Sequence, residues 1–105
     1  MTESEFATLS EAVLDHIEDA IERSGATIDV ERKGAGIVEI DIDGFGSIVV
    51  NSQAPMRQIW LASRAGAHHF EFRDGAWRDT RGDASLHAVL ERLIREHGGT
   101  KVRFD

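Results

Sequence analysis

Carboxylates at helical and strand spacing are the residues of this chain best suited to chemistry. Glu11, Asp15 and Asp19 recur at every fourth residue, Glu18 and Glu22 repeat that step in the next row, and Asp29 and Glu31 follow at the two-residue step of a strand. Their oxygens are hard ligands that suit iron, manganese or calcium, and their charge equally suits a basic protein surface. The first thirty-one residues hold nine acids against Arg23 alone, whereas residues 32–105 hold ten acids against eleven bases. The net charge of −7 therefore belongs to the N-terminal third.

This arrangement is unfavourable for the helix that carries it. Like charges four residues apart cost about 0.2–0.5 kcal/mol per pair, and no lysine interrupts these rows. Glu18, Asp19 and Glu22 also fall in the last turns, where the helix dipole disfavours anions. Replacing these three with Gln is expected to raise the melting temperature, and a simultaneous loss of binding would mark them as kept for function. A solvated face that serves solubility alone is the plain alternative.

The acids need elements to position them. Phe6, Leu9, Val13, Ile17 and Ile21 recur at spacings of three and four, the apolar stripe of an amphipathic helix. Thr2 or Ser4 is its expected cap, and Ser24-Gly25 its end. In Thr27–Glu31 apolar residues alternate with acids, which puts Asp29 and Glu31 on the outer face of a strand and predicts one continuous anionic ridge with the helix. In all, strands are expected at 27–32, 37–43, 47–51, 58–63, 67–72 and 76–79, divided by Gly34-Ala35-Gly36, Asp43-Gly44, Pro55, Gly66 and Asp74-Gly75. A second helix follows, with Asp83 as N-cap, an apolar stripe of Leu86, Val89, Leu90, Leu93 and Ile94, and Gly98-Gly99 as its stop. Thr100–Phe104 alternates again and reads as a short closing strand. Helix, antiparallel strands, helix is an α+β order, a two-layer α-β sandwich with both helices on one face of the sheet.

The bulk numbers narrow the field. A chain of 105 residues with 41% hydrophobic content is one domain, spanning 1–105, with one core. The acidic balance argues against nucleic acid and anionic membranes. Zero cysteines remove disulfides, thiolate metal sites and cysteine nucleophiles. No apolar run approaches the ~20 residues that span a membrane, and the acidic start at Met1–Glu5 does not read as a signal peptide. The expected location is the bacterial cytoplasm.

Several apparent motifs are decoys. Glu39–Gly44 imitates the front of a calcium loop, but Val50 stands where a bidentate Glu is needed, and Asp43-Gly44 is a hairpin turn. His68 and His69 point to opposite faces of a strand, and His16, His87 and His97 lack metal-ligand spacing. Gly34-Ala35-Gly36 precedes a strand rather than a helix, so it cradles no phosphate. Arg81-Gly82-Asp83 matches an adhesion tripeptide by chance, and no serine has the surroundings of a nucleophile.

Asn51–Phe72 is the second informative stretch. If Ile59 and Leu61 face the helices, Gln58, Trp60 and Ala62 face outward. An outward Trp beside Asn51, Gln53 and Gln58 fits either a binding anchor or a ring covered by its neighbours. The run Asn51-x-Gln53-x-Pro55-x-x-Gln58-Ile59-Trp60-Leu61-Ala62 resembles the frataxin family in its bacterial branch. Ser4-Glu5-Phe6, the acidic Ile17-Glu18-Asp19 helix, Gly66-x-x-His69-Phe70 and the last amphipathic helix extend the resemblance nearly end to end.

That resemblance implies a frataxin-like sandwich and an iron-binding regulator of iron–sulfur cluster assembly. Such a protein binds the cysteine desulfurase and the scaffold protein and can deliver iron. By position, iron falls to Glu18, Asp19, Glu22, Asp29 and Glu31, with Glu11 and Asp15 on the same face. The partners fall to Glu18, Asp19, Glu22, Asn51, Gln53, Gln58 and Trp60. The link Arg23–Thr27 departs from the family pattern in being short and poor in acids. An exposed ridge without converging ligands binds iron weakly and with little selectivity. The expected state is a monomer that iron can drive into oligomers. A ferroxidase that stores iron and a metal-free acidic adaptor are the alternatives; against the enzyme, no Glu-x-x-His pair builds a di-iron centre.

Overall fold

A computed structural model describes residues 1–104. Helix α1 (Glu3–Ser24) is followed by strands β1 (Asp29–Arg32), β2 (Ile37–Ile42), β3 (Gly46–Gln53), β4 (Gln58–Ser63), β5 (Gly66–Arg73) and β6 (Ala76–Asp79), then by helix α2 (Leu86–Gly98). A single turn of 3-10 helix, Ala54–Met56, with Pro55 inside it, joins β3 to β4. The strands form one antiparallel sheet of six in sequence order, a meander of hairpins. Among the described residues no helix is long and apolar enough to cross a membrane.

The start of α1 is a capping box. Thr2 Oγ1 accepts from the Glu5 amide at 3.0 Å and Glu5 Oε1 accepts from the Thr2 amide at 2.8 Å, so Thr2 rather than Ser4 is the cap. These bonds hold the Glu5 carboxyl below its ordinary pKa, Thr2 being the cause through both its backbone and its side chain. At the other end Gly25 takes the left-handed conformation, φ 74°, that reverses the chain out of the helix. The buried arc of α1 is Phe6, Ser10, Val13, Leu14, Ile17 and Ile21. Leu9 is only partly buried, because the helix is rotated toward Leu14.

Alternation works throughout the sheet. Val38, Ile40, Ile42, Ile48, Val50, Ile59, Leu61, Phe70 and Trp77 are buried, and register aligns them in rows such as Val38–Val50–Leu61. Each such side chain contributes roughly 1.5–3 kcal/mol against exposure, and all of them join one core cluster with the apolar residues of α1, α2 and the C-terminal segment. The Asp43-Gly44 turn is a hairpin, as its sequence implies. Phe45 N–H donates to Ile42 O at 3.0 Å, and the buried Phe45 ring stacks on His97 at 4.0 Å.

Two expectations fail for one reason each. The cap of α2 is Ser85, whose Oγ accepts from the Ala88 amide at 3.1 Å, and Asp83 is exposed. The chain cannot turn into the helix at Asp83, because Asp79 N–H donates to Ala84 O and Ser85 bridges to Arg78, which holds residues 84–85 along β6. Thr100–Phe104 alternates in burial but pairs with no strand. Val102 and Phe104 are pegs between α1 and α2: Phe104 N–H donates to Glu91 Oε2 at 2.9 Å, and Phe104 O bonds to His16 Nε2. An extended segment crossing a helix pair buries alternate residues just as a strand does.

At the end of β6, His68 Nδ1 lies 2.9 Å from Asp79 Oδ2, and the Arg81 amide donates to Asp79 Oδ1 at 2.9 Å. Burial raises the Asp79 pKa, but the Arg81 and His68 hydrogen bonds and the charges of both residues outweigh it, and the net direction is down. A folded value below the unfolded one contributes stability above the unfolded pKa and loses it as pH falls through the folded one. Asp79→Asn should therefore be less stable than wild type near neutral pH and lose less stability on acidification. Urea unfolding at a series of pH values reads this out, and parallel pH curves for the two proteins would refute it. Ser85→Ala should cost about 1 kcal/mol and Asp83→Ala close to nothing in the same unfolding assay, the reverse order restoring Asp83 as the cap.

Candidate functional site

The acidic residues sit at one edge of the sheet, on two sides of it. Glu11, Asp15, Asp19 and Glu22 are exposed on α1 because its apolar arc takes the opposite side, whereas Glu18, at the border of that arc, is half-buried beside Arg32. Asp29 and Glu31 are exposed on β1, on the sheet face that carries no helix, while Val30 between them packs toward the core.

The expected unbroken ridge is interrupted by cations. Arg32, on the inward phase of β1, bonds to Asp15, lies 3.7 Å from Glu18 and donates to Ala35 O at 2.8 Å. Arg23 pairs with Asp19 at 2.8 Å, one helical turn away. Asp15, Glu18 and Asp19 are thus answered by guanidinium groups, and among the described residues Glu11, Glu22, Asp29 and Glu31 have no such partner. Replacing Glu18 or Asp19 therefore removes an ion pair as well as a repulsion, and of Glu18, Asp19 and Glu22 only Glu22 is a purely unfavourable charge.

Register adds acids that the hairpin reading of Glu39–Gly44 passed over. Asp29 stands directly opposite Asp41, and Glu31 opposite Glu39, so like charges face each other across β1 and β2. Lys33 relieves part of this at 2.7 Å from Glu39. Its pKa is raised by that hydrogen bond first, then by the Glu39 charge, with smaller contributions from Glu31 and Asp41. The signal was available in the alternation of β2, which puts Glu39 and Asp41 in phase with Asp29 and Glu31. An open cleft at this end is lined by Thr27, Asp29, Asp41, Asp43, Gly44 and Gly46. Among the described residues, no three His, Asp or Glu side chains stand close enough together to hold one ion. Carboxylates so dispersed can each offer one or two oxygens to a hydrated cation and release it readily.

Asn51, Trp60 and His69 form one cross-strand row on the bare sheet face, and Gln53, Gln58 and Glu71 the next. Trp60 faces outward as its phase requires, and it is also partly covered. Its ring lies flat on His69, centroids 4.4 Å apart at 11°, and its Nε1–H donates to Gln58 Oε1 at 2.8 Å. The surface is therefore a fixed aromatic plate, with His69 as the member that sequence reasoning missed. The helix-facing His68 takes no part in it.

The model of the frataxin-like domain family matches residues 1–100. The iron-sulfur cluster assembly protein CyaY of Paraburkholderia xenovorans strain LB400 is 39% identical over 105 residues, covering 100% of this chain and 99% of that one. The frataxin from Psychromonas ingrahamii superposes with a TM-score of 0.93 at 28% identity, over 100% of this chain and 99% of that chain. Trimeric frataxin from the yeast Saccharomyces cerevisiae, solved in complex with ferrous iron, gives 0.77 at 31% identity, over 87% and 86% of the two chains.

The two tryptophans should separate in an unfolding assay. Trp77 is 6% exposed and packs edge-on to Phe6 and Phe72, with centroids at 5.9 and 5.3 Å, so Trp77→Ala should cost about 3–5 kcal/mol. Trp60→Ala gives up a partly buried ring, one stack and one hydrogen bond, about 1–2 kcal/mol. Equal losses in urea would make Trp60 a core residue and remove the plate from the candidate surface.

Proposed function

Because this chain belongs to the frataxin family, we propose that it serves iron–sulfur cluster assembly in the bacterial cytoplasm as a non-enzymatic regulator. It carries iron loosely as cargo and docks on the cysteine desulfurase and its scaffold protein. The observation that supports this most directly is the gathering of carboxylates from α1, β1 and β2 at one edge of the sheet, next to a bare face with a fixed Trp60. Like charges face each other there at a cost in stability, which is expected of residues retained for a cationic partner.

Each element has a role in that reading. The unpaired Glu11, Glu22, Asp29 and Glu31 supply oxygens for hydrated iron, with Asp15, Glu18 and Asp19 reached by exchange of their arginine partners. The same charges draw in a basic desulfurase surface from a distance. Trp60, held by His69 and Gln58 and flanked by Asn51 and Gln53, is the rigid anchor that loses little entropy on contact.

The test is a binding titration against purified cysteine desulfurase at low and high salt, beside an iron titration. Affinity for the desulfurase should fall steeply with salt, since exposed charges are screened beyond about 8–10 Å at physiological ionic strength. The triple variant Glu22→Gln, Asp29→Asn, Glu31→Gln should lose iron and desulfurase affinity while melting no lower than wild type. A variant that binds both as well as wild type would reduce the acidic edge to a solvated surface.

A further inference from the structure

The two edges of the sheet are finished differently. The outer edge of β6 is closed, since Asp79 N–H donates to Ala84 O and Arg78 bridges to Ser85. The outer edge of β1 has no such cover. Lys33 N–H donates to Ile37 O, which makes Lys33–Ile37 a hydrogen-bonded pair and, two residues back each time, Glu31–Glu39 and Asp29–Asp41 as well. Val30 and Arg32 occupy the alternate pairs and turn their N–H and C=O groups away from β2. Among the described residues nothing bonds to those groups. They are a short row of unsatisfied donors and acceptors, the template on which an extended chain adds.

The side chains around the row specify what can add there. The contacts of Arg32 with Asp15 and Glu18 bring the acid row of α1 alongside β1 on one side of the open edge. Asp29 and Glu31, facing Asp41 and Glu39, line the other side. An incoming strand sends alternate side chains to these two sides, so it meets carboxylates whichever way each residue points. A second copy presenting the same acidic edge is repelled, and a basic strand is attracted.

We propose that the open edge of β1 is a strand-addition site for an extended Lys- or Arg-rich segment of the cluster-assembly partner, paired through the backbone of Val30 and Arg32. The inference rests on the function proposed above and specifies its mode of docking. It also gives a use for the carboxylates on both sides of one edge, which Arg32 and Lys33 answer only in part.

Amide hydrogen exchange followed by NMR on the intact protein, with purified cysteine desulfurase as the probe, tests it. On binding, exchange of the Val30 and Arg32 amides should slow by at least about tenfold, while those of Asp29 and Glu31, already bonded to β2, change little. A second variant gives an independent readout. In Val30→Pro the lost N–H faces the open edge, so the β2 ladder survives and melting confirms the fold, while desulfurase affinity should drop about tenfold. If the desulfurase binds in a salt-dependent way but Val30 and Arg32 continue to exchange, the strand-addition mode is wrong and the broader function stands. If it does not bind wild type at all, both fall. Protection that grows with the concentration of the free protein would assign the edge to self-pairing and overturn the proposal.

Discussion

Val38, Ile40, Ile48, Val50, Ile59, Leu61 and Phe70 all leave the sheet on the side of the helices, and the rest of the molecule is arranged around that one-sided packing. A sheet of six strands covered on one face must present the other to solvent. Residues on that second face are free of the core and can be chosen for binding: Asn51, Gln58 and Trp60 in the centre, and Asp29, Glu31, Glu39 and Asp41 at one end. The helices are constrained in turn. With its apolar arc committed to the sheet, α1 has only its outer face for charge, and that face lies beside the edge strand.

Arg32 shows how closely cost and use are balanced in this region. Its side chain is mostly buried, contacts Asp15, Glu18 and Ala35 O, and leaves Nε without a partner. A guanidinium placed there neutralises part of the helix charge and ties α1 to β1. Stability alone would favour more such pairs. Instead Glu11, Glu22, Asp29 and Glu31 remain unanswered, and Asp29 and Glu31 face acids of the neighbouring strand.

Much of the architecture was legible because hydrophobic alternation and turn chemistry agree along most of the chain. Gln58–Ser63 and Ala76–Asp79 fall where the pattern ends at Pro55, Gly66 and Asp74-Gly75. What escaped was information held between elements. Asp83 is as good a cap as Ser85 in isolation, and only the pairing of residues 84–85 with β6 delays the helix. Val102 and Phe104 alternate like a strand because burial, not pairing, sets their period. For the candidate site, the acids of α1 and β1 and the outward Trp60 could be read from phase. The interruption by Arg32 and the stack of His69 on Trp60 depend on contacts across elements, which spacing along one element does not encode.

The C-terminal peg has a consequence for the order in which this structure assembles. Every strand pairs with its neighbour in sequence, so the sheet grows by local hairpins with short loops to close. The bond between Phe104 and His16 joins residues 88 positions apart, the most distant of the side-chain hydrogen bonds described. Loop closure of that span costs the most entropy and gains little until both helices are in place. On this ground the seam between α1 and α2 is expected to close last and open first. A fluctuation that frees Val102 and Phe104 would wet the helix pair while the hairpins persist, leaving the bare face and its acidic edge formed in a molecule whose ends have come apart.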